Sequence, residues 1–157
     1  YTKKSALKNE RQITGATRYR LVAKSYDIYK AGGVIIRNRM LLVVRATGKD
    51  IFVAPGGKLE PGETFVDALK RELIEEVQIT VNDSQLELLG TFEATAAGSE
   101  SKSLQMQVYI VNSDAQPTAS SEIEEMRWVN TQTDSLAIGS IFEHDVMPLL
   151  KQRGFID

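Results

Sequence analysis

The sequence predicts an α/β (α+β) fold, a mixed β-sheet with helices packed on its faces. Three observations predict it. Short β-branched apolar runs recur at both ends of the chain, "AGGVIIR", "MLLVVRAT", "LELLGTFEATA" and "SLQMQVYIVN" among them. One stretch after Thr64 switches to helical spacing, with Val66, Leu69, Leu73 and Val77 at steps of three and four. A second amphipathic stretch, "GSIFEHDVMPLLKQRG", closes the chain. Strands, helix, strands, helix in 157 residues fit one domain with room for a real core.

Residues 1–30 are polar and basic-leaning and read as an N-terminal extension, loose or adding an edge strand through "RYRLVAKSYDIY"; the domain proper is placed at 31–157. "AGGVIIR" and "MLLVVRAT", joined by "NR", read as a hairpin buried on both faces, because the runs are continuous rather than alternating. "IFVAP" reads as a short strand stopped by Pro55. "GGKLEPGE", rich in Gly and carrying Pro61, reads as irregular loop. Thr64 is the expected N-cap or first-turn residue of the helix. On that helix Ile74 is expected with the apolar arc, and Glu72, Glu75 and Glu76 on the opposite face. The two strands "LELLGTFEATA" and "SLQMQVYIVN" flank a loop at "AGSESK", and "EEMRWVN" forms one more. Trp128 is expected in the core, and His144 on the polar face of a closing helix that is started or interrupted near Pro148 and ended at Gly154.

Composition excludes several function classes. An apolar fraction of 42% with 25% charged residues is that of a soluble globular protein. A net charge of −2 leaves no footprint for nucleic acid or an anionic membrane. With no cysteine there is no disulfide, thiolate metal site or cysteine nucleophile, which is compatible with a cytoplasmic setting. No apolar run has the length of a transmembrane helix, and no signal-peptide pattern opens the chain.

The chemistry concentrates in "GGKLEPGETFVDALKRELIEEVQI". Like charges three or four apart on a helix repel by a few tenths of a kcal/mol per pair, so Glu72, Glu75 and Glu76 bring the fold nothing by themselves. A Gly56-Gly57 loop that lets a ligand approach closely, leading into carboxylates at that spacing, suits Mg²⁺ or Mn²⁺ held together with substrate phosphates. Lys58 in the same loop is placed to contact a phosphate.

This segment resembles the signature of the Nudix hydrolases, in which a Gly and, six residues on, a Glu precede Arg-Glu-apolar-any-Glu-Glu-any-Gly-apolar. The chain reads Gly57, Glu63, then Arg71-Glu72-Leu73-Ile74-Glu75-Glu76-Val77-Gln78-Ile79, matching every position except the final glycine, which is Gln78. The resemblance covers about residues 31–153. It implies a Nudix-type α/β/α sandwich and a MutT-like, Mg²⁺-dependent pyrophosphohydrolase of a nucleoside diphosphate linked to another moiety. By position it implies Glu75 and Glu76 as main metal ligands, aided by Glu72 and the Gly56 carbonyl. It further implies Glu72 as candidate base, Glu63 as an orienting group and Arg71 as the residue that locks the glutamates. Gly57 and Lys58 would meet the substrate. A further ligand, Glu122 first and Glu125 next, with Glu124 the other acidic neighbour, would come from "SEIEEMRWV".

The glycine replaced by Gln78 would serve a left-handed helix terminus, where another residue costs on the order of 1 kcal/mol. The loop is similar both to that of MutT-like enzymes acting on oxidised nucleoside triphosphates and to that of ADP-ribose pyrophosphatases. The latter carry a proline about sixteen residues past the signature; here Thr95 stands there, and no proline lies between Pro61 and Pro117, which disfavours ADP-ribose. The expected partner is a small-molecule nucleotide, with the protein a monomer or homodimer. The competing class is a non-catalytic nucleotide-sensing module of the same fold, which intact glutamates disfavour.

Overall fold

The computed structural model describes residues 25–95 and 102–157. Among the described residues seven strands form two sheets. The first runs in the order β4-β1-β6-β5, from β1 (Ile28–Val34), β4 (Gly56–Lys58), β5 (Leu86–Thr95) and β6 (Ser103–Val111). In it β1 is parallel to β6 and antiparallel to β4, so the sheet is mixed. The second, antiparallel throughout, runs β2-β3-β7, from β2 (Ile36–Arg37), β3 (Met40–Ala46) and β7 (Ile123–Val129). Helix α1 (Phe65–Val77) packs on one side. A π-turn (Phe142–Val146) leading into α2 (Met147–Gln152) packs on the other. The helix–sheet–helix layering matches the fold class read from the sequence.

Continuous apolar runs arise because both faces of these strands are covered. In β3, Leu41 and Val43 enter the core shared with Phe142, Val146 and Leu150, while Leu42 and Val44 enter the core beneath α1 with Leu69, Leu73 and Val77. Asn38 (φ 51°) and Arg39 (φ 63°) form the expected two-residue turn, both left-handed as a primed hairpin requires. Arg39 is held there by Asp157 at 2.7 Å and by the Gly154 carbonyl at 2.8 Å.

Four local readings change. The run "AGGVIIR" is not one hairpin arm: the chain leaves the first sheet after Val34 and enters the second at Ile36, and only the short β2 pairs across the turn. Apolarity is continuous through the switch because Val34 and Ile35 are buried in different cores. "IFVAP" makes only isolated bridges, Val44–Val53 and Phe52–Ile138. Gly56–Lys58 is strand rather than loop, because ladder bonds to β1 use main-chain groups that glycine supplies as well as any residue. At Gly56 (φ 154°) a side chain would also strike the backbone of Ala31 and Gly32.

The fourth concerns the faces of α1. Ile74 is 50% exposed and Glu76 only 9%, so the acidic trio straddles the buried edge of the helix instead of occupying one solvated face. Side chains of Ala68 and Leu69 are buried on that same edge, which faces β4.

β1 begins at Ile28, before the boundary placed at residue 31, and is an interior strand. Residues 1–24 and 96–101, and with them most of the expected loop at "AGSESK", lie outside the described residues. Trp128 is half-buried against the α1 core, and His144 is exposed. Among the described residues no helix is long and apolar enough to cross a membrane.

Candidate active site

Local rules place α1 accurately. Thr64 Oγ1 accepts from the Asp67 amide at 3.1 Å and the Thr64 amide donates to Asp67 Oδ2 at 3.1 Å, a reciprocal capping box. At the other end Gln78 adopts φ 57°, ψ 38°, the left-handed cap that the missing glycine would favour. Its amide donates to the Ile74 carbonyl at 3.2 Å, and the Ile79 amide to that of Leu73 at 3.1 Å. Gln78 Nε2 reaches the Ala119 carbonyl at 3.3 Å. The amides of Thr118 and Ser120 satisfy the carbonyls of Val77 and Glu76. Gln78 thus preserves the helix end, with strain set against an added side-chain bond.

Arg71 is the hub of the site. Its Nε and Nη2 grip both oxygens of Glu63 at 2.8 and 2.9 Å, and Nη1 meets Glu72 at 2.8 Å and Glu75 at 3.3 Å. Nη2 also donates to the Lys58 carbonyl at 3.1 Å, tying the helix to β4. Glu60 lies at the edge of this network, 3.7 Å from Arg71 Nε. The Arg71 bond holds the Glu63 carboxyl well below its usual range, at about 2, with help from the Glu60 amide at 2.7 Å. Glu63 is therefore a fixed anion at any ordinary pH, suited to orientation and not to proton transfer.

Glu76 behaves oppositely. Burial pushes its carboxyl up to about 8, with further rises from the charge of Glu72, a hydrogen bond with Glu72 and the charge of Glu122. The Gly56 amide donates to Glu76 Oε1 at 2.9 Å and works against that rise. Gly57 lies against the Glu72 carboxylate so closely that a methyl group there would collide with it. Gly56 and Gly57 therefore bring the strand backbone onto the two carboxylates.

Of the three acidic candidates near Trp128, Glu124 pairs with Arg45 at 2.9 Å, and Glu125 with Arg127 at 2.7 Å and Arg45 at 3.7 Å. Glu122 is the one whose charge reaches Glu76. Glu75 is half-exposed on the Arg71 side. Among the described residues no three acidic or imidazole side chains converge on one point. The structure thus brings Glu72 and Glu76 together, backed by Gly56 and Gly57, and leaves Glu75 and Glu122 flanking them.

The facing pair fits a hard divalent cation. Glu76 is buried with its carboxyl pushed up to about 8, and a cation displacing its proton relieves both that burial and the repulsion from Glu72, with oxygen ligands of the right class. Lys30 is a site neighbour that sequence reasoning missed. It is the register partner of Lys58 across β1 and β4, and its pKa is lowered by burial and then by the Lys58 charge. A lysine interrupting an apolar strand was the available signal.

The model of the NUDIX domain matches residues 29–138. No curated protein matches the sequence. Among solved structures, the chain is similar to a MutT NUDIX hydrolase from Burkholderia pseudomallei (TM-score 0.62, 21% identity, 80% of this chain and 96% of that one). It is similar also to a UDP-X diphosphatase (TM-score 0.63, 19% identity, 90% and 70%). A third is a bifunctional NMN adenylyltransferase/ADP ribose pyrophosphatase from Francisella tularensis (TM-score 0.58, 19% identity, 91% and 46%). These likenesses concern the fold; the match over most of the chain, together with Gly57, Glu63, Arg71, Glu72, Glu75 and Glu76 in register, identifies the chain as a member of the NUDIX domain family.

Proposed function

We propose that the protein is a Mg²⁺-dependent pyrophosphohydrolase that cleaves a nucleoside triphosphate, ribo- or deoxyribo- and including oxidised forms, to the monophosphate and pyrophosphate. The observation that carries this reading is the Glu72–Glu76 pair, in which Glu76 is buried beside a glycine backbone and Glu72 is held by Arg71. Glu76 and Glu72 would hold the cation, with Glu75, the Gly56 carbonyl and Glu122 completing its shell. When bound, Mg²⁺ or Mn²⁺ supplies charge neutralisation for the phosphates and acidifies water.

The chain's own residues do the positioning. Arg71 holds Glu72 by one oxygen and so orients its carboxylate, the candidate base for the attacking water. Glu63, ionised throughout, anchors Arg71 and so fixes the direction of Glu72. Lys58 and the Gly57 backbone sit at the open edge of the sheet, where they would meet phosphate oxygens. Thr95 standing at the position of the ADP-ribose proline favours a triphosphate over ADP-ribose.

The test is phosphate and pyrophosphate release from nucleoside triphosphates, ADP-ribose, nucleotide sugars and dinucleotides with Mg²⁺. Monophosphate and pyrophosphate from a triphosphate are expected. Tight binding of one compound with turnover of none would replace the enzyme reading with a sensing module.

A further inference from the structure

Gln78 stands where the signature has glycine, and a side chain at φ 57° is strained. What this side chain gains is a contact outside the helix. Its exposed amide reaches the Ala119 carbonyl, 41 positions along the chain, at 3.3 Å. On either side of Ala119, the Thr118 amide donates to the Val77 carbonyl at 2.9 Å and the Ser120 amide to the Glu76 carbonyl at 3.0 Å. Residues 118–120 are thus laid across the end of α1, where helix carbonyls have no partner within the helix.

This segment delivers Glu122. The Ile123 amide bonds back to the Ser120 carbonyl at 3.1 Å, closing a turn through Ser121 and Glu122, and the Thr47 amide takes the Glu122 carbonyl at 3.0 Å as β7 begins. Glu124 and Glu125 are committed to arginines, whereas the charge of Glu122 reaches Glu76. Among the described residues the buried Ser120 hydroxyl has no hydrogen-bond partner, so it does not hold the turn. The grip on residues 118–120 comes from α1, through two main-chain bonds and one that needs the Gln78 amide.

We propose that Gln78 is a positioning residue: its bond to the Ala119 carbonyl holds the segment bearing Glu122 against the end of the helix bearing Glu76, and so fixes the spacing of the two carboxylates toward a divalent cation. The grip itself rests on the fold alone, while its consequence rests on the cation reading of Glu76 and Glu122. Amide hydrogen exchange of the full chain in EDTA tests the grip. Gln78→Gly deletes side chain and strain together, and Gln78→Glu keeps the strain but puts an acceptor where the donor was. Loss of one side-chain hydrogen bond should speed exchange at Thr118 and Ser120 by about threefold to tenfold in both variants, with Leu69 and Leu73 unchanged. Gln78→Arg, which keeps a donor, should return both amides to within about twofold of wild type. Unchanged exchange in Gln78→Gly overturns the grip, and loosening in Gln78→Glu alone overturns it too, since the new charge then accounts for the effect.

Mn²⁺ titrated calorimetrically into the nucleotide-free chain tests the consequence. Gln78→Gly should weaken binding by about threefold or more, and Glu122→Gln should weaken it less in the Gln78→Gly chain than in wild type, because the two act through one contact. An unchanged Kd in Gln78→Gly, or losses that simply add, overturns the positioning role. If wild type takes up no Mn²⁺ while Gln78→Gly still loosens Thr118 and Ser120, the cation reading falls and the grip stands.

Discussion

Replacing Glu76 by Gln isolates the buried carboxyl from everything else in the site. The amide keeps an oxygen for the Gly56 amide and adds a donor toward Glu72, so the packing is preserved while the charge is gone. The folded-state pKa is raised from 4.5 to about 8. A raised pKa contributes stability that is fully present below the unfolded value and is lost as pH climbs toward the folded one. At 1.36 kcal/mol per unit this rise sets a ceiling of about 5 kcal/mol, lost between about pH 4.5 and 8 and level above that. Glu63 titrates the other way, its stabilisation being lost only as pH falls from about 4.5 toward about 2, outside the window. In EDTA, the wild-type melting temperature should therefore fall by on the order of 10 °C from pH 5.5 to 8.5. The Glu76→Gln profile should be nearly flat and should lie above wild type at pH 8.5. Added Mg²⁺ should restore wild type at pH 8.5 and leave Glu76→Gln unmoved. A flat wild-type profile in EDTA, or a mutant profile as steep as wild type, would refute the reasoning.

Other perturbations test separate parts. Gln78→Gly removes the left-handed strain at φ 57° but also the bond to Ala119, so urea denaturation should show a gain of at most about 1 kcal/mol; a loss greater than that would mean the side-chain bond dominates. Gly57→Ala pushes a methyl group into the Glu72 carboxylate, and kcat should drop at least about tenfold while the chain stays folded by circular dichroism; unchanged kcat would show that the strand yields. Thr64→Ala deletes the capping box and should cost about 1 kcal/mol in denaturation without changing KM, whereas a neutral result would mean Asp67 alone holds the helix start.

What was legible in the sequence was local. The start of α1 at Thr64, its core residues Leu69, Leu73 and Val77, the turn at Asn38-Arg39 and the left-handed end at residue 78 are set by neighbours within a few positions. The family signature likewise lies in one continuous segment. What was not legible depends on pairing across the chain. Val34 and Ile35 read alike, yet successive side chains enter different cores, and the chain changes sheets between Val34 and Ile36. The glycines of β4 carry no strand propensity, and their strand exists because β1 offers an edge. Glu76 reads as one more surface glutamate until β4 covers it, and Lys30 as a stray charge until β4 brings Lys58 opposite. Both hidden features are products of the same three-residue strand.

On the reading proposed above, the carboxylates at that strand are a cation-dependent hydrolytic site. Pyrophosphate release from a nucleoside triphosphate, measured against Mg²⁺ concentration for wild type and Glu76→Gln, tests it most directly. Turnover should rise with Mg²⁺, vanish in EDTA and fall by orders of magnitude in a Glu76→Gln chain that remains folded. Turnover indifferent to EDTA, or near wild-type rate in Glu76→Gln, would contradict it.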